Sequence, residues 1–469
     1  MKDTLKYIES LLTMHKFKIN SDKEKLFKDF AADPENINAV KEIQENQKRM
    51  VDKWTLKNRV DDIVQQNFRL PNATVNKKYE SKIDFLNLGW NDIVFSKFTN
   101  LDSYGLHYNN TQEIITGIPL ISDDLKSIFL FRLEGEADDS VLHEKPITII
   151  INPDPKLLWK NIESNQNDIY WKKDNVTEVG SFLDKKIVIS SKRGRSHANV
   201  GSFRDDDYAF KNFTETGWSI LAVSDGAGSA SESRQGSKLA CDLVISYFEN
   251  NFSAENLKDF DETLLKHNNN PSIETETKIN DFVTNNLSKA AKYVHNQLEK
   301  FAIQSEKKLK DFHSTLIFTL VKKYEFGYAI LTFGVGDCPI GLINKDQTEI
   351  KLMNWLDVGE YGGGTRFITM SEIFKNDNFS SRFGFSLITD FSYLILMTDG
   401  IYDPKFVVEA NLEKIEKWNE FLNDLKGNNN DNIAVDFNYQ NLEVAHQLSI
   451  WMDFWSPGNH DDRTLAIIY

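Results

Sequence analysis

Two apolar runs in this sequence stop on the same dipeptide. "WSILAVSDGAGSA" carries Trp218 to Ser224 into Asp225-Gly226, and "YLILMTDGIYD" carries Tyr393 to Thr398 into Asp399-Gly400. Short unbroken apolar runs bounded by turn residues read as buried strands. A third run, "YAILTFGVGD", ends on Asp337. "DDRTLAIIY" instead begins with Asp461-Asp462, and "DDDYAF" begins with Asp205-Asp206-Asp207. In an antiparallel sheet, strands that end on an acid and strands that begin on one place those acids at the same edge. Five segments therefore deliver carboxylates to one end of a sheet.

Clustered carboxylates raise one another's pKa and destabilise a fold unless positive charge sits among them. Hard divalent cations with oxygen ligands meet that need, Mg²⁺ or Mn²⁺ rather than zinc. Gly226 leaves the backbone open, so that its carbonyl can serve as a further ligand. Two such ions roughly 3.5–4 Å apart would bridge on one aspartate and activate a water. A single Asp-Gly is usually a turn; five acidic segments of matching polarity are not explained that way.

The 469 residues exceed one ordinary domain. Residues 1–80 are charged and helix-prone, with apolar residues at helical spacing and an interruption near Pro34. Residues 81–155 change to short β-prone runs such as "KSIFLFRLEG" and "KPITIIINPDP", as in a small β-sandwich. "ITGIPLISDDLKSIFLFRLEGE" resembles the end of an immunoglobulin-like module. A polar connector spans 156–184, and 185–469 reads as one long α+β domain.

The formal net charge of -15 leaves no basic excess for phosphate backbones and excludes a general nucleic-acid binder. Cys241 and Cys338 each sit in an apolar segment, which predicts buried free thiols in a reducing compartment. No stretch approaches the ~20 apolar residues of a membrane span, and the N-terminus has no signal-peptide core. The expectation is a cytoplasmic protein with no membrane contact.

The ordered set "GRSHANVGSFRDDDYAF", "LAVSDGAGSA", "HSTLIFTLV", "FGVGDCPIGLI", "GEYGGGTRFIT", "LILMTDGIYD" and "DDRTLAII" resembles the metal-dependent protein phosphatases of type 2C, particularly a bacterial branch, over about 60% of the chain. The resemblance implies an α-β-β-α sandwich: two antiparallel sheets face to face with helices outside and metals at one end. It implies that Asp225 bridges two metals, with the Gly226 carbonyl on one. Asp399 and Asp461 would complete the first metal, and Asp337 would lie near a third. The first acidic motif admits two registers, Asp206 or Asp207.

Three departures from the family pattern follow. Gly201 stands where relatives often carry a phosphate-binding arginine; Arg195, Arg204 and Arg234 are the candidate substitutes, since guanidinium grips phosphate bidentately. Ala227 stands where animal relatives have a histidine proposed as general acid, and His197 is either a helper or a hydrogen-bonded structural residue. About 60 residues separate Asp399 from Asp461, and "NLEKIEKWNEFLNDL" among them reads as an outer helix.

The implied function is hydrolysis of phosphoserine and phosphothreonine in proteins at a centre of two or three Mg²⁺ or Mn²⁺ ions. The region before 185 would recognise a partner protein or regulate catalysis. Two alternatives remain open: a non-catalytic sensor or scaffold on the same fold, and a hydrolase of small phosphate esters.

Overall fold

The computed structural model describes residues 2–154, 158–357, 364–375 and 377–469. The chain divides into two compact units, Met1–Leu158 and Trp159–Tyr469.

In the first unit, α1 (Lys2–Met14), α2 (Glu24–Ala32) and α3 (Pro34–Gln65) precede the strands. Proline opens α3, where its missing N–H costs nothing, and the Asp33 carboxylate accepts from the Glu35 N–H at 2.8 Å. Val40 of α3 packs on Ile8 and Ala31 in a small cluster, whereas Ile63 near its other end is buried with Trp90, Phe129 and Phe131 in a second core. That core lies among β1 (Ala73–Thr74), β2 (Tyr79–Lys82), α4 (Phe85–Leu88), β3 (Ile93–Phe98), β4 (Leu106–Asn109), β5 (Ile114–Gly117), β6 (Asp123–Leu133) and β7 (His143–Asn152). The strands form a four-stranded sheet, β1-β7-β6-β3, and a three-stranded one, β2-β5-β4. Buried and exposed residues alternate along β6 and β7, as the pleat requires of a sheet covered on one face. The boundary expected at residue 80 falls inside β2, and helix and strands share one core.

The second unit begins its sheets with β8 (Asn175–Phe182) and β9 (Lys185–Lys192), which pair antiparallel along their whole length. The boundary expected at Lys185 therefore falls in the turn of a hairpin, and the expected connector supplies an edge strand. There follow α5 (Arg195–Val200), β10 (Asp207–Phe213), β11 (Trp218–Ser224), α6 (Ser233–Asn251), α7 (Ala254–Asn269) and α8 (Ile273–Gln304). The remainder comprises β12 (Leu316–Tyr324), β13 (Gly327–Val335), β14 (Ile340–Asn344), β15 (Ile350–Leu352), β16 (Phe383–Ile388), β17 (Phe391–Met397), α9 (Asp399–Phe406), α10 (Ile415–Leu425), α11 (Val444–Trp451) and β18 (Arg463–Ile468).

These strands make two antiparallel sheets, β10-β11-β12-β13-β16 and β15-β14-β17-β18-β9-β8. Leu221 and Val223 of β11 meet Ile189, Leu394, Leu396 and Ala466 in the core between the sheets, while Trp218, Ile220 and Ala222 turn to the opposite face. That face is covered by Val244 and Phe248 of α6 and Leu287 and Val294 of α8. The outer face of the second sheet packs Ile395 and Met397 against Trp418 of α10 and Leu448 of α11. Burial on both faces explains why β11, β13 and β17 are apolar almost from end to end; each fully buried large aliphatic contributes roughly 1.5–3 kcal/mol of transfer free energy. The result is an α+β sandwich with helices outside two sheets. No helix among the described residues is long and apolar enough to cross a membrane. Both cysteines are buried and free.

Candidate metal centre

β11, β13 and β17 run out at the same end of the sandwich, and β18 begins there. Asp225, Asp337, Asp399 and Asp461 line one cavity of about 170 Å³, together with Gly226, Ala227, Thr315, Thr365 and Phe367. Asp225 is held by its backbone: its N–H donates to Thr315 Oγ1 at 2.8 Å and its carbonyl accepts from the Thr315 N–H at 2.8 Å. The next residue must be glycine, because a Cβ at Gly226 would lie 2.7 Å from the Asp205 carbonyl oxygen. The bridge between Gly226 and Ser314 is made by the N–H groups of Ala227 and Thr315. The Gly226 carbonyl is thus left without a backbone donor among the described residues.

The acids of the cavity repel one another. Burial, and then the carboxylates of Asp399, Asp206, Asp461 and Asp337, raises Asp225 well above the usual range. Burial and the Asp461, Asp337 and Asp206 charges do the same to Asp399. Burial is also the leading cause that raises Asp337 and Asp461. Thr365 donates to Asp337 Oδ2 at 2.7 Å, which opposes part of that rise.

The two registers of the first motif are separated by their partners. Asp206 is almost wholly buried, and its Oδ2 accepts from the hydroxyls of Thr398 and Thr464, both at 2.8 Å. Burial and the Asp462 charge push it up to about 7. Asp207 instead pairs with buried Lys172 at 2.9 Å and lies 3.8 Å from Arg204. Burial works against its charge, but those two cations hold it below the ordinary value. Asp207 is therefore engaged in an ion pair, and Asp206 is the member of the motif that couples to the cluster.

The arginines named as phosphate ligands are occupied. Arg204 is 2% exposed and donates to Ser191 Oγ at 2.6 Å, Lys173 O at 3.1 Å and the Asp206 carbonyl. Arg195 donates to Phe454 O at 3.1 Å and to Asp453 O, 5.4 Å above the Trp455 ring. Arg234 pairs with Asp168 at 2.8 Å and Glu232 at 3.0 Å, its guanidinium 4.2 Å over Phe203. Gly201, where the expected arginine is missing, closes α5 at φ +72°, a left-handed conformation that side chains larger than glycine rarely adopt.

Of the two readings of His197, the structure shows the hydrogen-bonded one. His197 Nδ1 lies 3.0 Å from both oxygens of Asp462, and the two form a tight cluster with Asp205. Burial opposes the imidazolium, yet the Asp462 bond and the nearby carboxylates push His197 up to about 9. Asp462 in turn accepts from the backbone N–H groups of Gly194, at 2.6 Å, and Asp205. His197 thus fixes Asp462, and Asp462 fixes two loops beside the acids. Lys172 gave no sequence signal at all: an isolated lysine in a polar connector looks solvated.

Buried carboxylate oxygens without donors fit a cation. Asp206 Oδ1 and Asp399 Oδ1 are both buried and have no hydrogen-bond partner among the described residues, which for an acceptor-only group costs free energy unless a positive charge is near. The carboxylates are oxygen donors, which favour hard cations; Cys338 Sγ lies within 4.8 Å of Asp225 and Asp337 oxygens, but burial raises its thiol and disfavours the thiolate that would bind a metal. The motif segment from Gly359 to Gly363 lies outside the described residues.

The fold and its acidic end define a class: a two-sheet α+β sandwich with a carboxylate cluster at the strand ends. A family model described as protein phosphatase 2C matches residues 193–449, more than half of the chain, and the chain belongs to that family. The match includes Asp206, Asp225, Asp337 and Asp399 and stops before Asp461. Among solved structures, a bacterial serine phosphatase carrying a point substitution matches with a TM-score of 0.36 and 16% identity, over 61% of this chain and 98% of that one. Serine/threonine phosphatase Stp1 from Staphylococcus aureus matches with a TM-score of 0.35 and 15% identity, over 62% of this chain and 96% of that one. The catalytic domain of the serine threonine protein phosphatase PstP, in complex with 2 manganese ions, matches with a TM-score of 0.34 and 14% identity, over 63% and 98%. No curated protein matches the chain.

Proposed function

We infer that this chain is a metal-dependent phosphoprotein phosphatase acting on phosphoserine and phosphothreonine. The observation that carries the reading is the convergence of Asp206, Asp225, Asp337, Asp399 and Asp461, with two buried carboxylate oxygens that have no donor among the described residues. Asp225, the Gly226 carbonyl, Asp206, Asp399 and Asp461 would hold two Mg²⁺ or Mn²⁺ ions, and Asp337 would stand by for a third. Such ions supply Lewis acidity toward a phosphoryl group and acidify a water.

The chain's own residues do the rest. Asp225 is fixed through Thr315 at both its N–H and its carbonyl, so little entropy remains for it to lose on binding. Small residues after it, Gly226 to Ser229, keep the cavity open to a side chain bearing phosphate. The charged His197 offsets Asp462 behind the acids. The first unit is assigned a partner-recognition role, supported by the exposed Met50, Val51 and Trp54 on α3.

Turnover of a phosphoserine peptide beside a phosphosugar, with and without Mn²⁺, tests the reading. Peptide turnover restored by Mn²⁺ after chelation supports it; a preference for the sugar phosphate identifies a small-ester hydrolase, and no turnover of either identifies a non-catalytic relative.

A further inference from the structure

Beside the acid-lined cavity lies a second one of about 420 Å³. A ring stack divides them. His313 lies against Phe367 with centroids 5.0 Å apart and planes 19° from parallel; Phe367 lines the acid cavity and His313 its neighbour. The chain divides the same way one residue back, where Thr365 donates to Asp337 and Arg366 lines the second cavity. Around Arg366 this cavity gathers Lys310, His313, Thr369, Met370 and Glu372. Its permanent charges are thus two cations against one carboxylate, next to a cavity lined by four carboxylates.

Lys310 and Arg366 are exposed, and neither has an ion-pair partner among the described residues. That sets them apart from the other cations near this end of the sandwich, since Lys172, Arg195, Arg204 and Arg234 are all engaged. The two segments that carry them are tied together: the His313 and Thr369 side chains are bonded at 2.6 Å between Nδ1 and Oγ1, and the Ile368 N–H donates to Ser314 O at 3.0 Å. Two cations without ion-pair partners among the described residues, in a cavity that Met370 and Leu309 also line, suit a carboxylate or second phosphate on a short apolar stalk.

We propose that this second cavity is a substrate subsite that binds an anionic side chain flanking the phosphorylated residue. The assignment rests on the phosphatase reading above and names its substrate class: phosphopeptides with an acidic or phosphorylated residue nearby. An extended peptide rises about 3.3 Å per residue, and the His313–Phe367 ring pair that divides the two cavities is 5.0 Å between centroids, so with the phosphorylated side chain in the acid cavity the anionic residue sits a few positions from it.

The test uses the full chain and phosphoserine peptides with glutamates on the N-terminal side, glutamates on the C-terminal side, a second phosphoserine, or alanines only. Non-hydrolysable phosphonate versions are titrated by calorimetry with Mn²⁺ present. One of the acidic peptides is expected to exceed the alanine peptide by about tenfold in kcat/KM and in binding. The second-phosphoserine arm tells whether a carboxylate or a phosphate is the better occupant. Charge reversal with Lys310→Glu and Arg366→Glu together removes the preference and leaves p-nitrophenyl phosphate turnover unchanged; Arg366→Gln gives a partial loss if the reversal perturbs folding. Equal treatment of acidic and alanine peptides, or a preference that survives charge reversal, overturns the subsite. Acid-dependent binding without turnover of any substrate overturns the phosphatase reading, and with it the cavity's role toward a substrate, and leaves an anion-binding cavity.

Discussion

Lys172 Nζ reaches Asp207 Oδ2 at 2.9 Å, so that Asp207 is ion-paired while the adjacent Asp206 accepts from Thr398 and Thr464. The same ammonium donates to the Asp206 carbonyl at 2.7 Å and to Ser237 Oγ at 3.3 Å. One lysine from the segment before β8 thus pins the backbone of the first acidic motif.

Lys172→Met leaves Asp207 buried without its counter-charge. Breaking such a pair is expected to cost about 3–5 kcal/mol, and replacing both partners is expected to recover most of it. Urea denaturation of Lys172→Met, Asp207→Asn and the double variant measures the cycle. A double variant as unstable as the lysine variant would show that the pair is not what holds this region.

Asp225→Asn removes the charge and one of the two oxygens that a bridging carboxylate offers. Mn²⁺ affinity is expected to fall, with turnover of a phosphopeptide down about a thousandfold or more. Circular dichroism should show an unchanged fold, because fewer acids repel in the metal-free protein. A folded variant that keeps more than about a tenth of the activity excludes Asp225 as the bridge.

The metal-free protein is expected to lose stability as pH rises. Asp206 and Asp205 are pushed up to about 7 and about 6, with burial the leading cause in each. An acid that binds its proton more tightly when folded stabilises the fold at low pH, and that contribution fades from about pH 4 up to the folded value. His197, raised to about 9, contributes stability below its ordinary value that is likewise lost as pH climbs past it. Urea midpoints in EDTA at about pH 5 and about pH 7.5 should fall with pH, and saturating Mn²⁺ should flatten the trend. A midpoint that rises with pH in EDTA contradicts it.

A chain that begins at Trp159 is expected to fold and to hydrolyse p-nitrophenyl phosphate. One that begins at Lys185 lacks β8, which pairs with β9 over eight residues, and lacks Lys172. It should melt well below the longer chain or fail to fold. Equal melting temperatures for the two would show that the hairpin is dispensable.

The sandwich was legible in the sequence because its central strands β11, β13 and β17 are buried on both faces: a largely apolar run suits that position, and the acid that follows each one marks the strand's polarity. Asp225, Asp337, Asp399 and Asp461 could be placed together on that ground alone. The boundary at Lys185 and the choice between Asp206 and Asp207 could not, since both depend on Lys172 and β8, whose local sequence is polar and unremarkable. The arginines followed the same rule. Arg204 looks solvated when read in a line of residues, yet the fold surrounds it with Ser191 Oγ and the carbonyls of Lys173 and Asp206. Burial pattern is a local property that each segment carries by itself, whereas the partner of a charge is chosen by segments far apart in the chain, and only the packed tertiary structure brings those segments together.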